Sequence, residues 1–185
     1  MIRGVVSCGG ESKRMGSDKG LLPSGTANWA VLAFQKLSQL NIQVCVSVNP
    51  KQFEAYQQFF SAKQLIADEG NAKGPLKGLL SVHLKYPDDD LLLLACDMTE
   101  MDEDTLNVLL DYITKYPDYD YFVYAQEDFM EPLCAVYTSS ALKKIQQELE
   151  CGSLPGFSMH KLIKQGKYKT LPIVNIHSFN NHNTA

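Results

Sequence analysis

The residues of this chain that are best suited to chemistry lie close to its N-terminus, in a loop rich in glycine and positive charge. The segment from Cys8 to Lys19 reads CGGESKRMGSDK and follows a short apolar run. Glycines let backbone N–H groups approach an anion closely, and arginine and lysine supply the charge that pairs with phosphate. These residue types predict a triphosphate site. The same composition also suits a solvated turn with ordinary surface charges, since neither the P-loop nor the GxGxxG spacing is present.

Three further candidates are polar residues that follow apolar runs. Asn49 follows IQVCVSV, Asp68 follows LIA, and Asp97 closely follows LLLLA. Ligands of a parallel α/β sheet bind beyond the carboxyl ends of its strands, so these positions predict one binding edge. Asp97 favours Mg²⁺, which proteins hold through one or two carboxylates together with phosphates and water. Each of the three residues also suits a turn that makes only local hydrogen bonds.

The elements that must position these residues alternate along the chain between strands and helices. Apolar runs predict strands over residues 2–8, 42–48, 65–67, 91–95, 121–125 and 132–137. Apolar residues at helical spacing predict helices over residues 29–40, 51–60, 76–83, 106–113 and 142–149. This alternation is typical of βαβ units and predicts an α/β protein with a mainly parallel sheet covered by helices on both faces. With no internal repeat or linker, residues 1–185 are expected to form a single domain.

Composition and charge exclude several classes of protein. The 185 residues include 17 Lys and Arg and 21 Asp and Glu, for a net charge of −4. A mildly acidic chain is a poor candidate for general nucleic-acid binding, which needs a basic face to displace counterions. The longest apolar stretch, residues 91–96, is far shorter than the ~20 residues of a membrane helix. Five scattered cysteines and no signal-peptide pattern predict a cytoplasmic protein with no nucleic-acid or membrane partner.

Several segments carry a family resemblance. The string GGESKRMGSDKGLL resembles the G-G-x-S-x-R-M-G-x-D-K signature of the MobA-like nucleotidyltransferases. Four more segments resemble that family in the same order: GPLKGL (74–79), ACDMT (95–99), EPLCAVY (131–137) and FNNHNT (179–184). The chain is most similar to the molybdenum cofactor guanylyltransferase branch. It departs from the family pattern at Ser7 and Cys8, at Thr99 in place of a proline, and near Thr26, where a lysine is missing.

The resemblance implies both a fold and a reaction. The fold would be the Rossmann-like three-layer sandwich of the nucleotide-diphospho-sugar transferases, in a single nucleotidyltransferase domain. The reaction would transfer GMP from GTP to the phosphate of the molybdopterin cofactor, release pyrophosphate and use Mg²⁺ as its cofactor. GTP and the molybdopterin cofactor would be the substrates, and proteins that deliver this cofactor would be partners.

The resemblance also implies roles for individual residues. Arg14, Lys19 and Asp97 would be catalytic, with the two cations on the triphosphate and Asp97 on the metal. Nucleotide contacts are implied for Ser7, Cys8, Gly9, Gly10, Lys19, Asn49, Asp68 and Asp97. Asn181 and Asn183 would bind the acceptor, although asparagine-rich chain ends are more often exposed polar tails.

Three alternatives remain open from the sequence. The loop and the strand-end aspartate identify the donor triphosphate better than the base or the acceptor. A cytidylyltransferase acting on the same cofactor is therefore one alternative, and a nucleotidyltransferase acting on another phosphorylated acceptor is a second. The third is a catalytically degenerate nucleotide-binding protein, which the departures at Thr99 and near Thr26 favour. Retention of Lys19, Arg14 and Asp97 together favours an enzyme.

Overall fold

A computed structural model describes residues 1–9, 18–127 and 129–180 of the chain. The strands within these ranges are β1 (Ile2–Ser7), β2 (Pro23–Ser24), β3 (Ala27–Asn28), β4 (Gln43–Val48), β5 (Leu65–Ala67), β6 (Asp90–Ala95), β7 (Tyr121–Gln126), β8 (Phe129–Tyr137) and β9 (Tyr168–Pro172). The α-helices are α1 (Trp29–Gln39), α2 (Phe53–Tyr56), α3 (Pro75–Lys85), α4 (Glu103–Lys115), α5 (Ser139–Glu150) and α6 (Met159–Gln165). Short 3-10 helices span Lys19–Leu21 and Ile176–Phe179.

Seven of the described strands form one sheet in the order β5-β4-β1-β6-β8-β7-β9, and β2 and β3 pair separately. Strands β5, β4, β1 and β6 are parallel to one another. Strand β8 runs antiparallel to both β6 and β7, and β9 pairs with β7 in parallel. The predicted α/β class with a mainly parallel sheet is therefore confirmed.

Helices cover both faces of the sheet, so side chains from alternate strand positions fill two separate layers of core. Val6 and Leu92 lie in the layer that includes buried residues of α1 and α4. Val5 and Leu93 lie in the layer that includes buried residues of α3 and α5. Successive residues of a strand point to opposite faces, and all four of these side chains are fully buried. Burial on both faces is why residues 91–95 of β6 form an unbroken apolar run.

Three of the longer described helices, α1, α4 and α5, begin after a residue whose side chain accepts a hydrogen bond from a free backbone N–H group. The Val31 N–H donates to Asn28 Oδ1 at 2.9 Å where α1 begins. Asp102, which precedes two acidic residues and an apolar helix pattern, predicts an N-cap, and the Thr105 N–H donates to its Oδ1 at 2.6 Å where α4 begins. Helix α3 begins with proline after Gly74, whose φ of 62° favours glycine. Among the described residues, no helix is long and apolar enough to cross a membrane.

Two predictions differ from the structure. The helix predicted over residues 51–60 is reduced to the four residues of α2, because only Tyr56 and Phe60 of this segment are buried, which leaves little tertiary packing to stabilise a longer helix. The run of three aspartates over residues 88–90 predicts a solvated turn, and for Asp89 that is wrong, since it is 7% exposed. The Arg3 Nε donates to Asp89 Oδ2 at 2.8 Å, and this partner is 86 residues away in the sequence.

Candidate active site at the carboxyl edge of the sheet

Four parallel strands end at one edge of the sheet, where most of the described candidates lie. The chain continues from β1 into Cys8 and Gly9, from β4 into Asn49, from β5 into Asp68, and from β6 through Cys96 into Asp97. Backbone hydrogen bonds join these strand ends. The Cys8 N–H donates to the Ser47 carbonyl at 2.9 Å, and the Asp68 N–H donates to the Val48 carbonyl at 2.8 Å. The topology therefore brings residues from four distant segments to one edge, as the parallel sheet predicts.

The residue predicted to hold a metal and a residue predicted to hold the triphosphate are in direct contact. Lys19 Nζ lies 3.3 Å from Asp97 Oδ2, and the two side chains are 26% and 18% exposed. Lys19 begins the first 3-10 helix, and Asp97 stands two residues beyond the end of β6. A partly buried lysine can bind phosphate oxygens, and a carboxylate at the same point can hold a cation that those oxygens also ligate.

Asp68 presents a buried carboxylate beside the loop that follows β1. It is 5% exposed, and the Ser47 hydroxyl donates to its Oδ1 at 2.5 Å. Burial raises the pKa of Asp68, while the hydrogen bond from Ser47 and the positive charge of Lys77 oppose that rise. The other oxygen, Oδ2, occupies the place that a Cβ on Gly9 would take. Only glycine at position 9 lets the loop backbone lie this close to the carboxylate.

The side chain of Cys8 packs into the protein. Cys8 is 5% exposed, and burial together with the neighbouring Cys96 raises the pKa of its thiol. The thiol therefore stays neutral and acts as a small apolar group. The Cys8 carbonyl accepts a weak hydrogen bond from Gln52 Nε2 at 3.4 Å. Ser7 is half-buried, and its carbonyl accepts from the Cys96 N–H at 3.2 Å.

Asn49 has a local role in the structure. Its side-chain Oδ1 accepts a hydrogen bond from the Lys51 N–H at 3.0 Å. Its own N–H donates to Gln52 Oε1 at 2.9 Å. These contacts form the turn that the Asn49-Pro50 sequence is typical of. A nucleotide contact from Asn49 stays a prediction.

Four predicted site residues lie outside the described residues: Gly10, Arg14, Asn181 and Asn183. The described chain just before residue 181 is held against the start of α4. Asn175 Nδ2 donates to Asp102 Oδ2 at 2.8 Å, and the Ser178 hydroxyl donates to the same oxygen. Burial alone would raise the pKa of Asp102, but hydrogen bonds from Ser178, Thr105 and Asn175 lower it to about 2.

Glu131 is a candidate functional residue that sequence reasoning missed. It is 6% exposed in β8, and the Leu133 N–H donates to its Oε1 at 3.0 Å. Burial raises the pKa of Glu131, the Leu133 hydrogen bond opposes this, and the negative charge of Asp97 raises it further. The family resemblance of the segment EPLCAVY implies no role for Glu131 itself. A carboxylate inside an apolar strand pattern is the signal that could have identified this residue.

The acidic residues that the structure describes at this edge suit Mg²⁺ better than a structural zinc ion. Among them, no group of three or more His, Cys, Asp or Glu residues could hold a metal ion. Asp97 lies at this edge, and its negative charge acts on the carboxylate of Glu131. Mg²⁺ typically uses one or two carboxylates and takes its other ligands from water and substrate phosphates. The donors here suit such an ion, and they do not form the four-ligand cage of a structural zinc site.

The chain matches one protein family and is similar to several named proteins. The MobA-like NTP transferase domain family matches residues 4–166. A molybdenum cofactor guanylyltransferase from Campylobacter jejuni is 28% identical over 148 residues, which cover 79% of this chain and 73% of that protein. A molybdenum cofactor biosynthesis bifunctional protein from Synechocystis sp. is 28% identical over 142 residues. That match covers 77% of this chain but only 40% of the bifunctional protein.

Solved structures share the fold. Molybdopterin-guanine dinucleotide biosynthesis protein A from Archaeoglobus fulgidus superimposes with a TM-score of 0.81 at 20% identity. The superposition covers 99% of this chain and 93% of that one. The bifunctional IspDF from Campylobacter jejuni gives a TM-score of 0.75 at 12% identity, covering 98% of this chain and 52% of that protein.

Proposed function

This chain belongs to the MobA-like NTP transferase domain family, and on that premise we propose that it is a molybdenum cofactor guanylyltransferase. It transfers GMP from GTP to the phosphate of the molybdopterin cofactor and releases pyrophosphate. Relatives that are named molybdenum cofactor guanylyltransferase support this choice over other nucleotidyl transfers. The contact between Lys19 and Asp97 at the carboxyl edge of the sheet is the observation that carries the proposal.

In this reaction an oxygen of the acceptor phosphate attacks the α-phosphorus of GTP. A new P–O bond forms to the α-phosphate while the bond to the β-phosphate oxygen breaks, and pyrophosphate leaves. The acceptor phosphate is already ionised, so no strong base is required, and catalysis depends on positioning and charge neutralisation. Lys19 binds phosphate oxygens and neutralises part of their charge. Asp97 would hold a Mg²⁺ ion that supplies further charge neutralisation, with Glu131 as a second candidate ligand.

Asp68 supports recognition of the nucleoside at the same edge. Guanine carries N1–H and N2–H donors on one edge, and a carboxylate oxygen accepts such hydrogen bonds. Oδ2 of Asp68 lies beside the Gly9 backbone, and no described residue donates a hydrogen bond to it. Ribose hydroxyls could donate to the same oxygen, but only a base contact would discriminate GTP from CTP.

The remaining features of the proposal rest on the family and on the sequence. They are the use of Mg²⁺, a cytoplasmic location, cofactor-delivery proteins as partners, and one nucleotidyltransferase domain over residues 1–185. Nucleotide and acceptor roles for the residues outside the described ranges belong to the same proposal.

The first experiment compares thermal stabilisation by GTP, CTP and ATP in the presence of Mg²⁺. A ligand at 100 times its dissociation constant adds about 2.7 kcal/mol, which should raise Tm by roughly 5–10 °C in a chain of this size. Selectivity for GTP would support the proposal. Selectivity for CTP would favour the cytidylyltransferase, and no shift with any nucleotide would contradict the triphosphate site.

The second experiment measures pyrophosphate release from GTP with the molybdopterin cofactor as acceptor. Asp97→Asn should lower turnover by about 10²-fold or more while the protein stays folded, because the charge that holds the metal is lost. The matched control, Asp111→Asn, alters an exposed carboxylate on α4 and should leave turnover unchanged. GTP binding without any pyrophosphate release by the wild type would favour a degenerate nucleotide-binding protein.

A further inference from the structure

We propose that Tyr56 is a positioning residue for the nucleotidyl transfer, and this inference rests on the proposed function. Its hydroxyl holds the carboxylate of Asp18, and Asp18 in turn fixes the short helical turn that begins with Lys19. Neither the sequence patterns nor the family resemblance assigned a role to Tyr56. Tyr56 belongs to α2, which follows β4, whereas Asp18 and Lys19 belong to the segment between β1 and β2.

The hydrogen bonds at Asp18 connect these two parts of the chain. The Tyr56 hydroxyl donates to Asp18 Oδ1 at 2.9 Å. The Gly20 N–H donates to the same oxygen at 3.0 Å, which caps the 3-10 helix Lys19–Leu21. One carboxylate oxygen thus binds the backbone of the turn and a side chain from 38 residues further along. The second donor ties the turn to the body of the protein.

Tyr56 itself is a rigid anchor. Its side chain is fully buried and its ring stacks on Phe60, with ring centroids 6.2 Å apart. Burial raises the pKa of Tyr56, so its hydroxyl keeps its proton at neutral pH and remains a donor. A Cβ on Gly20 would overlap the Tyr56 hydroxyl oxygen. The hydroxyl therefore lies directly against the backbone of the turn, and the glycine makes this approach possible.

The position of this turn controls the position of Lys19. A lysine side chain is long and flexible, so the direction in which its chain leaves the backbone decides where the ammonium group lies. In the structure that group reaches Asp97 at 3.3 Å. Phosphoryl transfer depends on placement, and a misplacement of about 1 Å can cost about 10²-fold in rate. Tyr56 acts through Asp18 and Lys19 and has no direct role in the reaction.

Tyr56→Phe tests the inference, because it removes only the hydroxyl. Loss of a hydrogen bond to a charged group should lower kcat by roughly 10- to 100-fold, because the turn is then held less firmly. The KM for the acceptor should change little. In a Lys19→Ala background, the same substitution should cause no further loss. The matched control is Tyr112→Phe, which alters a half-buried tyrosine on α4 and should leave kcat unchanged.

A positioning role predicts that the effects of Tyr56→Phe and Lys19→Ala on kcat are not additive, whereas a general loss of stability would lower kcat in both backgrounds. An equal loss from Tyr56→Phe in both backgrounds would overturn the inference, and so would an unchanged kcat. If Tyr56→Phe does not fold, Asp18→Asn replaces it, since asparagine can still cap the turn but removes the charge that strengthens the Tyr56 hydrogen bond. Asp18→Asn should then lower kcat when Lys19 is present and cause no further loss in the Lys19→Ala background.

Failure of the proposed function would be recognised separately. A wild-type protein without turnover on GTP and the molybdopterin cofactor would contradict that function. The dissociation constant for GTP in Mg²⁺ would then replace kcat in the same cycle of Tyr56→Phe and Lys19→Ala. Coupling between the two substitutions would support the positioning role of Tyr56, and strict additivity would overturn it.

Discussion

Gly78 provides a test in which the tertiary contact should outweigh the local helix preference. It lies inside α3, where replacement of glycine by alanine ordinarily stabilises a helix by about 1 kcal/mol. Here an added Cβ would overlap the Ser47 hydroxyl oxygen and would lie 3.0 Å from Asp68 Oδ1. The Ser47 hydroxyl would have to rotate away from Asp68, so Gly78→Ala should destabilise the protein.

The magnitude follows from the contacts that would be lost. The hydrogen bond from Ser47 to Asp68 is 2.5 Å long and buried, and bonds to charged groups contribute about 1.5–3 kcal/mol. Overpacking of a filled site costs about 1–3 kcal/mol more. These two costs are partly offset by the gain of about 1 kcal/mol in helix preference. The free energy of unfolding should therefore fall by about 1.5–5 kcal/mol. Because the Ser47 hydrogen bond opposes the effect of burial, its loss should also raise the pKa of Asp68 further.

Urea unfolding measures this change directly. The control is the same Gly78→Ala substitution in a Ser47→Ala background, where the overlapping oxygen is absent and the cost should be smaller. A Gly78→Ala protein at least as stable as the wild type would refute the reasoning. An equal cost in both backgrounds would also refute it, because the cost would then not arise from the Ser47 hydroxyl.

Three further changes have defined outcomes. Arg3→Met leaves the carboxylate of Asp89 buried and unpaired, so the free energy of unfolding in urea should fall by about 3–5 kcal/mol; unchanged stability would contradict the importance of this pair. The folded-state pKa of Asp102 is about 2 against an ordinary value of 3.8, so its charge stabilises the protein above pH 4 and this contribution is lost as the pH falls towards 2. Asp102→Asn should therefore show a flatter dependence of unfolding free energy on pH over that window, and an unchanged slope would be contrary to expectation. Gly9→Ala would displace the buried Asp68 Oδ2, so it should weaken GTP binding by roughly tenfold or more and lower the free energy of unfolding by about 1–3 kcal/mol; an unchanged dissociation constant would remove the Gly9 loop from the binding site.

The sequence by itself determined the architecture of the protein and the edge of the sheet where the candidate residues meet. Both follow from local patterns. The apolar run of β6 reports burial on both faces, and the Asp102 cap marks the start of α4. Because parallel strands must end at one edge, Asp68 and Asp97 could be placed there before their neighbours were known. Their roles in binding stay predictions.

Only the tertiary structure decided which side chains from distant segments meet. The Tyr56 hydroxyl contacts Asp18, and Glu131 lies near enough to Asp97 for the negative charge of Asp97 to raise the pKa of Glu131. Periodicity and capping report only contacts within a few residues, whereas these pairs are joined by the order of strands in the sheet and by packing between elements. The same packing decides why glycine is required at position 78, since the atoms that exclude a side chain there belong to other strands and loops.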